Sequence, residues 1–138
     1  MNRLAALIAA VLLALPAMAQ DTTESTGADL RVLDKLSGVV SDINLATGAS
    51  DTIGRLNVQL DDCRYPTDNP SGEAYAHLTI SESAAPIFAG WMIATSPGLS
   101  ALDHPRYDVW VMQCALPEGA KPQARPRKKP VTDDGSGG

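Results

Sequence analysis

The chain has 138 residues, a formal net charge of −5, and few aromatic side chains: two Trp, three Tyr and one Phe. That length holds one modest domain. Between Asp29 and Leu116 eleven acids stand against five bases, which argues against nucleic acid as a partner, because a phosphate backbone needs a basic face.

Met1-Asn2-Arg3 is a short positive start, Leu4 to Leu15 is continuously apolar, Pro16 breaks the run, and Ala17-Met18-Ala19 places small residues where a signal peptidase reads. This is the pattern of a secretory signal peptide over 1–19, cut between Ala19 and Gln20. The apolar run is short for a bilayer span. The mature chain is therefore expected in the periplasm, with no transmembrane segment. Residues 20–28 are polar and read as a disordered leader.

The single domain is expected over 29–116. Leu30 to Leu45 opens it, interrupted at Asp34-Lys35. From Val39 onward alternate residues are apolar, as in a half-buried strand. Gly48 marks a turn, and Asp51 to Cys63 reads as a second strand with Leu56, Val58 and Leu60 on one face. Cys63 falls on the opposite parity, so a bulge near Asp61-Asp62 is expected to bring it inward. Arg64 to Gly72 is dense in Pro, Asn, Asp, Ser and Gly and reads as a loop. Glu73 to Glu82 is a third strand, with Ala74, Ala76, Leu78 and Ile80 on its apolar face.

Ile87 to Thr95 is apolar on both parities, the pattern of a strand covered on both faces. Ser96 and Pro97 suit the start of a helical turn, and Pro105 closes it before a last strand from Arg106 to Leu116. Pro117 to Gly138 reads as a disordered tail rich in Pro, Gly and basic residues. Its run Arg125-Pro126-Arg127-Lys128-Lys129-Pro130 reads as a solvated basic stretch. Together these elements predict an all-β fold, a small antiparallel β-sandwich or partly open barrel of about five or six strands with one short helical turn.

In an oxidising compartment Cys63 and Cys114 are expected to form a disulfide. There is no CxxC pair or close-spaced His/Cys set, so neither a metal nor another cofactor is expected. Ser100, Asp103 and His104 match the residue types of a hydrolytic triad, but they share one turn, whereas a triad converges from separate elements. They read as capping groups, and no catalytic residue is assigned. Asp61-Asp62 with Asp68, and Asp103 with Asp108, lack calcium-loop spacing and read as solvated acids. Trp91 and Trp110 lie in strand patterns and are expected in the core, while Tyr65 lies in the predicted loop. With His104, these are the residues named as possible partner or ligand contacts.

Gly90-Trp91-Met92, Ser96-Pro97, Leu99, Ala101-Leu102, His104-Pro105 and Tyr107-Asp108-Val109-Trp110-Val111, ending in Cys114, resemble the signature of domain of unknown function 2155. This is a family of exported alphaproteobacterial proteins. Leu33-Asp34-Lys35, Gly54-Arg55-Leu56 and Cys63 also resemble its pattern, which covers roughly Leu30 to Leu116. The resemblance implies one small periplasmic domain and carries over no catalytic residue. The expected role is a non-enzymatic interaction or scaffold module for an envelope protein or membrane complex. A carbohydrate- or peptidoglycan-binding module is the alternative, and a small hydrolase the weaker one.

Overall fold

The computed structural model describes residues 16–120. The apolar leader run at 1–15 and the basic tail from 121 lie outside them. The described residues form eight strands and no helix: β1 (Thr22–Glu24), β2 (Gly27–Asp34), β3 (Val40–Ala46), β4 (Ser50–Ile53), β5 (Leu56–Pro66), β6 (Tyr75–Glu82), β7 (Ala85–Ile93) and β8 (Tyr107–Cys114). They build two antiparallel sheets, a sandwich rather than a closed barrel. In one, β1 and β4 share an edge of β5, and β6 and then β7 follow. The other runs β3-β2-β8.

Local chemistry sets the turns. The Asp34 carboxylate accepts the N–H groups of Leu36 and Ser37 at 3.0 and 3.4 Å, and Gly38 takes φ of 73°. That makes the Asp34-Lys35 interruption the turn of the β2–β3 hairpin. Ile53 pairs with Leu56 across Gly54-Arg55, with Gly54 at φ 59°. A two-residue hairpin loop with glycine first therefore splits the single strand expected over Asp51–Cys63.

Alternation then fills the core. Leu56, Val58 and Leu60 of β5 and Ala76, Leu78 and Ile80 of β6 face Leu30 and Val32 of β2 and Val109 and Val111 of β8, all buried. The apolar face expected for the third strand is the one observed.

Several expectations are corrected. There are eight strands, not five or six. Residues 20–28 are not a disordered leader: β1 pairs with the far end of β5, and Ser25 Oγ donates to the carbonyls of Gly27 and Ala115. β1 gave no apolar signal because this exposed edge strand is held by backbone bonds and by the polar side-chain contacts of Thr23 with Thr67 and Glu24 with Arg64. No helical turn forms between Ser96 and Pro105. The connection from β7 to β8 must cross from one sheet to the other, and a helical turn would shorten its reach. Leu102 is buried and Leu99 exposed. β7 is not covered on both faces: Met92 is buried, while Ala89 and Trp91 on the outward parity are exposed. Tyr65 is not in a loop: it closes β5, 7% exposed.

The expected bulge is present. Leu60 pairs with Leu78 but Asp62 with His77, so Asp61 is the extra residue and Cys63 turns inward. A second bulge lies in β8, where Leu30 pairs with Val111 and Asp29 with Gln113. Without it Cys114 would stay on the outer parity of Trp110. Both sulfurs thus enter the core and bond across the two sheets, with Cα atoms 5.8 Å apart. The loop closed is 51 residues in sequence separation, which the chain-entropy account values at about 4 kcal/mol. Cys114→Ser is expected to lower unfolding free energy by about that much in denaturant titration. A loss below about 1 kcal/mol would show that the bulges, not the bond, set the sheet packing.

Candidate functional site

The expected contact residues do not come together. Tyr65 and His104 are buried, Trp110 is half-buried on the outer face of β8 opposite Arg31, and Trp91 is 43% exposed on β7. Neither tryptophan lies in the core, contrary to expectation: both project from the outward parity of their strands.

His104, 8% exposed, belongs to a polar knot at the sandwich end away from the disulfide. Its Nδ1 accepts the N–H groups of Arg106 and Tyr107 at 3.0 and 3.1 Å, so Nε2 carries the proton donated to Glu82 Oε2 at 2.9 Å. Neither ring nitrogen remains for Ser100 or Asp103, and no triad forms. Arg55 Nη2 stands 2.5 Å from Glu82 Oε1, a close ion pair of poor hydrogen-bond geometry. Arg106 grips the Asp34 carboxylate with Nε and Nη2. Lys35 Nζ donates to the His104 carbonyl at 2.8 Å and pairs with Asp108. Gly54 lies so close against the Tyr107 hydroxyl that a Cβ there would collide with it. The knot ties both sheets to the β7–β8 connection. Its groups are consumed by one another, so its role is structural.

A different cluster lies on the outer face of β5, β6 and β7, and the sequence reading did not assemble it. The residue added by the β5 bulge, Asp61, accepts His77 Nδ1 at 2.9 Å and Thr79 Oγ1 at 2.7 Å on one oxygen, and Gln59 Nε2 at 2.8 Å on the other. Burial raises the Asp61 carboxyl, but the hydrogen bonds of Thr79, His77 and Gln59 together hold it below its ordinary value. The ring of His77 meets Trp91 edge-on, centroids 5.2 Å apart. Register brings Tyr75 and Ile93 onto the same face. Alternation had already put His77 and Thr79 on the polar side of their strand. Only strand pairing could show that Asp61 and Trp91 flank them.

The outer face of the smaller sheet has a shallow hollow of about 350 Å3 lined in part by Asp29, Asn44, Met112 and Gln113. Asp29 there accepts both Asn44 Nδ2 and Gln113 Nε2 at 2.7 Å. Its polar groups already satisfy one another. The acids considered as pairs also disperse: Asp62 meets Arg64 and Asp108 meets Lys35. Among the described residues no set of three His, Cys, Asp or Glu is placed to hold a metal. Among the same described residues no helix is long and apolar enough to cross a membrane.

The model of a family described as "Uncharacterized protein conserved in bacteria (DUF2155)" matches residues 28–114. An uncharacterised protein of Rickettsia prowazekii (strain Madrid E) is 27% identical over 94 residues, covering 64% of this chain and 61% of that protein. The chain thus spans about three fifths of the curated relative it matches. No solved structure matches.

The polar knot sets an acid limit on stability. Arg106 above all, against burial, holds Asp34 far below its ordinary 3.8, and His104 first and then Arg55 hold Glu82 below its ordinary 4.5. A carboxylate depressed in the folded state stabilises fully above its unfolded value and loses that contribution as pH falls through the folded value. The wild type is expected to lose stability between pH 7 and pH 3 in urea titrations, and Glu82→Gln to lose less over the same interval. Equal losses would place the acid sensitivity elsewhere.

Proposed function

The chain belongs to the bacterial family of domain of unknown function 2155, and from that premise we propose that it is a non-enzymatic interaction module of the cell envelope. It works in the periplasm, and its partner is an envelope protein or a membrane complex. One observation carries this reading: Trp91 stands 43% exposed on β7, a strand that also leaves Ile87 38% exposed. A large aromatic left in water on a rigid strand is the kind of anchor that dominates protein interfaces. The polar cluster of Asp61, His77, Thr79 and Gln59 beside it forms a hydrogen-bonding rim. The absence of convergence at His104 removes the residue set first considered for hydrolysis.

That rim also favours a second reading, in which Trp91 stacks on a sugar ring and the rim contacts its hydroxyls, making this a peptidoglycan-binding face.

A photo-crosslinking residue at Ala89, compared with one at Thr52 on β4, separates these. Expected in intact cells is a discrete protein adduct from position 89, none from 52, and a drop of about tenfold or more when Trp91→Ala is added. Equal labelling from both positions would refute the protein-partner reading. A saturable shift in tryptophan emission on adding soluble peptidoglycan fragments, lost in Trp91→Ala, would install the second.

A further inference from the structure

An open sheet edge offers a row of unpaired N–H and C=O groups, and proteins commonly guard such edges with charge, proline or a bulge. Among the described strands, β7 alone carries no charged side chain; β1, β3, β4 and β8, each with a single strand partner or a shared edge, carry Glu24, Asp42, Asp51 and Asp108. Its only strand partner is β6. Its first part is guarded, since Pro86 has no N–H and the register shift beside Ser81 makes Ile87 the extra residue of a bulge. Beyond that, Phe88 to Ile93 pairs residue by residue with Ile80 to Tyr75, straight and apolar, with nothing on it to repel a neighbour.

We infer that this edge pairs with the same edge of a second copy, β7 against β7 antiparallel about a two-fold axis through Gly90, making one continuous sheet across a dimer. The occupant is a second copy because the segment is self-complementary. A two-fold normal to the sheet at Gly90 sets each Trp91 opposite the partner copy's Ala89, large against small on the outer face. It sets Phe88 opposite Met92 on the inner face. At the axis the two glycines meet, neither contributing a side chain, with Ser100 Oγ of the β7–β8 connection 4.0 Å from where a Gly90 Cβ would sit. No like-charged pair arises, whereas self-pairing of β3 or β4 would bring carboxylates toward each other. A two-fold, isologous contact also closes, so it yields a dimer rather than a fibre. The dimer places two Trp91–His77 clusters on one face. It goes beyond the envelope-partner reading and stands whether or not that reading does.

The oxidised protein is to be examined by sedimentation equilibrium over a concentration series, with amide hydrogen exchange at the same concentrations. Expected is a mass twice that of the chain at the upper end. Exchange at Phe88–Ile93 slows as concentration rises, while exchange in β4 does not change. Ala89→Glu, at an exposed site that leaves the fold intact, is expected to weaken self-association about tenfold or more, and Thr52→Glu to leave it unchanged. A single-chain mass up to several hundred micromolar would overturn the inference. So would a dimer whose β7 amides exchange independently of concentration. In the crosslinking experiment, an adduct at twice the chain mass reports the second copy and any other mass reports an envelope partner, so failure of one reading leaves the other intact.

Discussion

The covalent link between the two sheets is the constraint on which the rest depends, and it exists only because two strands each carry one residue too many. Cys63 and Cys114 both sit on the outward parity of their strands as the sequence runs. The extra residue in β5 and the extra residue in β8 each reverse that parity, so the two sulfurs meet inside. For a domain of this size the bond is comparable with the whole net stability. The β5 bulge has a second consequence. The residue it leaves unpaired is Asp61, which keeps the outward parity of Gln59 and gathers His77, Thr79 and Gln59 on the face next to Trp91. Core cross-link and candidate contact face are two sides of one irregularity, which accords with bulges serving to re-aim side chains.

The opposite end of the sandwich is tied differently. Asp34, Lys35, Gly54, Arg55, Glu82, His104, Arg106 and Tyr107 come from four places in the chain and meet in one knot of ion pairs and hydrogen bonds. Most lie in the strings through which the chain resembles its family: Leu33-Asp34-Lys35, Gly54-Arg55-Leu56, His104-Pro105 and Tyr107-Asp108. Spread over seventy-odd positions of sequence, they look like unrelated motifs. In space they are one latch that holds the long β7–β8 connection across both sheets. Because its polar groups are engaged with one another, Glu82 Oε1 through the Arg55 ion pair alone, it contributes a unique arrangement rather than reactive chemistry.

With both ends fastened, the exposed feature left over is an edge. Trp91 shows why its place was hard to read. Apolar residues on both parities are what a doubly covered strand looks like, and also what an outermost strand with a sticky face looks like. The sequence pattern is the same, and only the strand order distinguishes them. Tyr65 failed in the other direction. Its neighbours Pro66, Thr67 and Asp68 carry loop chemistry, yet β1 pairs with the end of β5 and carries it through Tyr65 to Pro66, the turn starting at Thr67.

The chain's own order of residues determined the strands with a clean period of two, the inward faces of β5 and β6, the need for a bulge before Cys63, the family, and the emptiness of the Ser-Asp-His trio. These are local matters: side-chain parity, turn chemistry and spacing act over a few residues and are visible in one dimension. The tertiary structure alone decided the second bulge, the latch around His104, the Asp61–His77–Trp91 cluster and the bare edge of β7. Each of these depends on which strand lies beside which and in what register. A pairing between residues dozens of positions apart is set by the packing of two whole sheets, and parity within a single strand does not encode it.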